Sequence, residues 1–232
     1  ASMLAFIAIE SSVATPLVPL RILRSRNLSG GALVAGLHFA GFGGHFFLVT
    51  AWLQDVRGFD PLEAGFAFLP LALAIVVGSR LGGHITDRFG ARAAIITGFV
   101  FGLAGLSLLG VVATAQVSYA LGVVPLITLT GLGMGVTWTA QWIVVATDVI
   151  DAEHGIASGI ASTSQQVGGA IGLAVLVAVS TAVSGRAGFA SPAQIDHGLR
   201  YAFFVAAAVL ALGLVIATIV LPHPAPRPRG RL

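Results

Sequence analysis

The sequence predicts an all-α membrane protein, and three observations carry that prediction. Hydrophobic residues make up 56% of the 232 and charged residues only 9%, with a mean hydropathy of +0.96. A water-soluble domain needs far more polar surface than that. The chain also falls into about six apolar stretches, each near the roughly 20 residues that a bilayer crossing requires. Finally, the arginines gather in the polar breaks between stretches or at their edges. There is no cysteine, which excludes disulfides, iron–sulfur clusters and thiol chemistry.

Taken in order, Ala1 to Ile9 reads as the end of a preceding helix, and residues 1–26 as that end plus a cytoplasmic linker. No initiator Met, charged leader or cleavage site is visible, so the chain is expected to begin inside a longer protein. The first full span, Leu28 to Leu53, holds His38 and His45, seven residues apart and so on nearly one face of a regular helix. Asp60-Pro61-Leu62-Glu63 supplies a cap, a proline at the first helical position and an acid three residues after the cap, which starts the second span, Leu62 to Ile85. The third span, Ala93 to Ala113, is almost wholly apolar, as is the sixth, Leu199 to Leu221. Between them, Tyr119 to Val145 carries Thr137, Trp138, Thr139, Gln141 and Trp142, and Ile156 to Val183 carries Ser158, Ser162, Thr163, Ser164, Gln165 and Gln166. Glycines four apart recur as Gly78/Gly82, Gly98/Gly102, Gly131/Gly135, Gly155/Gly159 and Gly168/Gly172, a spacing that permits close helix approach. Residues 222–232 form a Pro/Arg tail expected to be disordered and cytoplasmic.

Arginine placement predicts the orientation. Arg21, Arg24 and Arg26 precede the first span, Arg80, Arg88 and Arg92 surround the second break, and Arg227, Arg229 and Arg231 end the chain. The alternate breaks hold Arg57, then none, then Arg186 and Arg200. The richer side is cytoplasmic by the positive-inside rule, which puts both ends of the six-span unit and its C-terminus inside. The acidic loop with Asp148, Asp151 and Glu153 falls on that side without an arginine, but acids count little in this rule.

Gly83-His84-Ile85-Thr86-Asp87-Arg88-Phe89-Gly90-Ala91-Arg92 resembles the G-x-x-x-D-R-x-G-x-R loop of the major facilitator superfamily, which joins the second and third helices of a six-helix half. Trp52-Leu53-Gln54, Gly58 to Gly65 and Pro70 are similar to the stretch before that loop in drug:proton antiporters with fourteen helices. So are Gly155 to Gly159 followed by Gln165 to Gly172, and Phe6 to Glu10 with Pro16 to Arg21. The resemblance covers essentially the whole chain. It implies a six-helix C-terminal half built as two inverted three-helix repeats, with an N-terminal half as its partner, a proton gradient as energy source and no cofactor. The implied function is efflux of drugs or other small molecules by alternating access from a bacterial plasma membrane, and not enzyme activity. A non-transporting scaffold or assembly-partner half-domain is the alternative.

The cavity candidates are His38, His45, Gln54, Thr137, Trp138, Gln141, Trp142, Gln165 and Gln166. An amide in hydrocarbon is costly without a partner, so the glutamines are expected to face the interior, as ligand contacts or as interhelical bonds. Trp138 and Trp142, four apart, can form an aromatic wall for a flat or cationic substrate, or fill the core. The two histidines can accept protons or serve as structural groups; they lie outside the resembling pattern. The conformational hinge is assigned to Gly83, Asp87, Arg88, Gly90 and Arg92, with Asp87 facing the N-terminus of the next helix. An ordinary basic turn is the simpler reading. No carboxylate lies near the middle of a span, so proton coupling is expected to use carboxylates in the other half. The chain has no H-E-x-x-H or G-x-S-x-G constellation, and Asp148, Asp151, Glu153 and His154 read as a solvated loop and not as a metal site. Arginines at span ends without aromatic platforms argue against nucleic acid, despite a pI near 10.6.

Overall fold

The computed structural model describes residues 22, 25–113, 116–147, 149–185 and 191–222. The expected preceding helix and linker, and the Pro/Arg tail, fall almost wholly outside these residues. Among the described residues six helices are long and apolar enough to cross a membrane: α1 (Arg26–Val56), α2 (Pro61–Phe89), α3 (Ala91–Val112), α4 (Tyr119–Ala146), α5 (Asp151–Ser184) and α6 (Pro192–Val220).

Local chemistry sets their ends. Asp60 accepts hydrogen bonds from the Leu62 and Glu63 amides at 2.8 Å while Glu63 accepts from the Asp60 amide at 3.0 Å, completing the expected box at the start of α2. The sixth span begins at Pro192 and not at Leu199, because Ser191 and Gln194 form a second box of the same kind. Within α2 the ladder tightens at Phe68, just before Pro70, whose ring excludes the carbonyl of residue 66. Gly90 alone separates α2 from α3, with φ +87° and ψ 158°, a region essentially restricted to glycine.

Two π-turns interrupt α1, at Phe39–Gly43 and Trp52–Val56. The first lies between His38 and His45, so their seven-residue spacing no longer spans two regular turns, and the expected shared face is lost. A third π-turn, Tyr119–Val123, opens α4.

Helices α1 and α4 form the middle of the bundle. α4 packs on α2, α3 and α1, α1 packs on α5 and α6, and α3 and α6 pack on each other. Exchanging the first three helices for the last three turns the α2–α4 contact into α5–α1, α3–α4 into α6–α1, and α2–α3 into α5–α6, all of which are present. The fold is therefore two inverted three-helix repeats.

Lipid tails are as apolar as leucine, so close packing and not the hydrophobic effect drives helices together here. A Cβ on Gly82 would sit 2.7 Å from the Val136 carbonyl oxygen, and one on Gly131 would sit 2.8 Å from that of Leu71, so α2 and α4 meet backbone to backbone. Gly168 and Gly172 of α5 meet Gly36 and Ala40 of α1 in the equivalent way, and Gly98 and Gly102 of α3 are closed in by α4, α1 and α6. Gly155 and Gly159 depart from the expectation, since a Cβ on either would meet nothing within 4 Å.

The α3–α6 seam is pinned at both ends. Arg92, in the first turn of α3, donates to the Thr218 carbonyl near the end of α6. Arg200 of α6 donates to the Gly110 carbonyl near the end of α3 at 2.9 Å. Each cation thereby meets orphan carbonyls at a negative helix terminus.

We expect Gly82→Val and Gly168→Val each to destabilise the chain by about 1–3 kcal/mol or more through overpacking. Gly83→Ala, whose Cβ would face open space, should change stability by less than about 1 kcal/mol and in the favourable direction. Reversible unfolding in micelles measures all three. Equal losses would refute the backbone contact.

Candidate substrate-facing site

With α3 and α6 covering each other and α1 and α4 central, the faces left open belong mainly to α5 and α2, only 22% and 28% buried over their most apolar windows. On the N-terminal half of α5 this open face carries a polar stripe, Ser158, Ser162 and Gln166 recurring at four-residue intervals and exposed, while Val167, Ile171 and Val175 are exposed further along. Such a stripe needs water or protein, not hydrocarbon, against it.

Beside α5, the α1–α4 contact builds an aromatic corner. The Phe39 and Trp138 rings lie 5.7 Å apart, Trp138 and Trp142 meet edge to face at 6.1 Å, and His38 stands 6.3 Å from Trp138 and 4.8 Å from Phe42. Trp138 is 38% exposed, whereas Trp142 and Phe39 are half-buried. These centroid spacings suit offset or edge-to-face stacking, and Trp138 presents an indole to the open side. Sequence reasoning passed over Phe39, which carries no signal beyond an apolar position next to His38.

The other candidates separate into groups. His38, His45, Thr137 and Gln141 are buried at 0–1% exposure, and among the described residues neither ring nitrogen of either histidine, nor the Thr137 hydroxyl, nor either end of the Gln141 amide has a hydrogen-bond partner. Gln165 is buried with its amide nitrogen unpartnered, while Gln166, on the next position of α5, is exposed. Gln54 is half-buried in the second π-turn. Sixteen residues beyond His38, it lies roughly 24 Å further along α1 and does not join the aromatic corner. Three hydroxyls act as interhelical ties: Ser164 donates to the Ala32 carbonyl at 2.6 Å, Thr139 to that of Ser79 at 3.2 Å, and Tyr119 to that of Ala67.

At the hinge, Asp87 and Arg88 are exposed in the last turn of α2, and no side chain caps α3 by a hydrogen bond. Arg92 reaches toward α6, donating to the Thr218 carbonyl. In the loop before α5, His154 bonds the Val149 carbonyl at 2.9 Å; Asp148 lies outside the described residues.

The Major Facilitator Superfamily profile matches residues 6–173 of the chain. The puromycin resistance protein pur8 of Streptomyces alboniger is 34% identical over 229 residues, which is 94% of this chain and 45% of that protein. The tetracenomycin C resistance and export protein of Streptomyces glaucescens is 34% identical over 168 residues, 72% of this chain and 31% of its own length. Among solved structures, the proton:xylose symporter XylE bound to 6-bromo-6-deoxy-D-glucose superposes with a TM-score of 0.68 over 85% of this chain and 44% of that one, at 17% identity. The chain thus spans from about a third to just under half the length of the proteins it matches.

The three tryptophans give a direct check of the corner. In single-tryptophan variants, acrylamide should quench Trp138 several-fold more strongly than Trp52, which is 1% exposed. Comparable quenching would show that Trp138 is not on the open side.

Proposed function

The chain belongs to the major facilitator superfamily, and from that premise we propose that it is the C-terminal half of a proton-driven exporter of drugs or other small organic molecules. The observation that carries this reading is the exposed polar stripe of α5 beside the aromatic corner of α1 and α4, both on the uncovered side of the bundle. A second six-helix half facing that side would enclose an aqueous cavity at mid-depth, with Trp138 stacking on the substrate and Gln166, Ser162 and Ser158 offering hydrogen bonds. The export and resistance proteins that the chain resembles support the substrate class. No carboxylate lies in the middle of a described span, so the proton-binding carboxylates belong to the other half in this scheme.

In the same reading, both ends of the six-helix unit are cytoplasmic, and the negative charge of Asp87 acts on the N-terminus of α3. A carboxylate at a helix N-terminus contributes on the order of 0.3–2 kcal/mol, and 1.4 kcal/mol is tenfold in a two-state ratio. That suffices to bias inward-open against outward-open forms.

Three outcomes test this. In the full-length parent, Trp138→Ala and Gln166→Leu should change the substrate profile with membrane abundance near wild type; lost abundance with an unchanged profile would make both residues packing groups. Asp87→Asn should redistribute the accessibility of a cavity cysteine and slow flux without loss of folded protein. Unchanged accessibility and flux would reduce the hinge to a turn. Because the chain has no native cysteine, single cysteines report orientation cleanly: Ser25 and Ala91 positions should label only from the cytoplasm, and Gly58 and Ser191 positions only from outside.

A further inference from the structure

At the end of the bundle opposite the Asp87 hinge, α1, α5 and α6 line a half-open cavity of about 330 Å³. It lies away from the aromatic corner and does not depend on the export reading. Its polar wall has an unusual composition. The Asp55 carboxylate lines it and makes no hydrogen bond or ion pair among the described residues. Thr181 and Ser184 add two hydroxyls whose protons are already committed, Thr181 donating to the Val177 carbonyl at 2.8 Å and Ser184 to that of Ser180 at 2.7 Å. Their oxygens can therefore present only lone pairs. The nearby Arg57 is turned to the Val117 carbonyl at 2.7 Å and to the Trp52 ring, with its guanidinium carbon 5.5 Å from the ring centroid.

Backbone electrostatics point the same way. Asp55 sits in the last turn of α1 and Ser184 closes α5, so two negative helix termini meet the one positive terminus of α6 here, and a carboxylate in a C-terminal turn is placed against the dipole of its own helix. A cation would relieve that conflict. The rest of the wall is hydrocarbon, from Phe47, Val177 and Leu199. A bare metal ion would leave this surface unused, and the volume is near the lower limit of about 300 Å³ for small-molecule pockets.

We propose that this cavity binds a small organic ammonium ion, its N–H groups donating to Asp55, Thr181 and Ser184 and its hydrocarbon body lying against Phe47, Val177 and Leu199.

Benzylammonium, titrated calorimetrically into the chain in zwitterionic nanodiscs, is a suitable probe. Wild type should bind it saturably. Asp55→Asn should weaken binding at least tenfold, Asp55→Glu should keep it within a few-fold, and Val177→Trp, which fills the cavity without touching the charge, should abolish it. Benzyl alcohol should fail to compete. Absence of saturation, equal binding by Asp55→Asn or Val177→Trp, or competition by benzyl alcohol would overturn the proposal. Displacement by sodium chloride but not by choline chloride at the same ionic strength would also overturn it, by marking an inorganic cation site.

Discussion

Everything in this bundle depends on how closely α4 can approach α2, and α1 can approach α5. In a lipid solvent no hydrophobic driving force holds two apolar helices together, so their association rests on dispersion and on weak polar contacts that only a close approach allows. Gly78 and Gly82 against Leu132 and Val136, and Gly168 and Gly172 against Gly36 and Ala40, provide that approach at symmetry-related places. Because these two seams join the first repeat to the second, they also define the six-helix unit as one body. The open faces of α2 and α5 follow from them, since those helices meet the core through a narrow glycine ridge and leave the rest of their surface uncovered.

The sequence made the elements legible where a local rule applied. Six apolar runs became six helices, and Asp60-Pro61-Leu62-Glu63 capped α2 as its chemistry dictates. The same pattern was present in Ser191-Pro192-Ala193-Gln194, yet hydropathy placed the start of α6 later because Asp196, His197 and Arg200 dilute the apolar signal there. Glycine spacing identified four packing ridges but could not separate them from Gly155 and Gly159, because spacing does not say which face has a neighbour. The π-turns in α1 have no sequence signature, and the link of Arg92 to Thr218 joins residues 126 apart. Long-range pairings of that kind emerge only from topology.

Candidate residues fared according to the same division. Polarity selected α1, α4 and α5 as polar helices, but helical spacing alone could not assign each side chain to the open or the buried side. Adjacent residues on α5 show the limit: Gln166 is exposed and Gln165 buried. The unpartnered His38, His45, Thr137 and Gln141 are the costliest groups in the core, since a buried polar atom without a hydrogen bond forfeits about 1–3 kcal/mol. Their concentration on α1 and α4 puts the cost at the centre of the bundle, where a second arrangement of these two helices could satisfy them.

The reciprocal arginine ties also constrain the order of events during biosynthesis. The Gly110 carbonyl near the end of α3 is met by Arg200, 90 residues later in the chain. At about 5–20 residues per second, the ribosome needs roughly 5–18 s to supply that partner. For that interval α1 to α3 sit in the bilayer with the C-terminal end of α3 untied and the α3 face toward α6 bare. That seam stays unsheltered until α6 arrives, so a pause in translation before residue 200 prolongs its exposure to quality control.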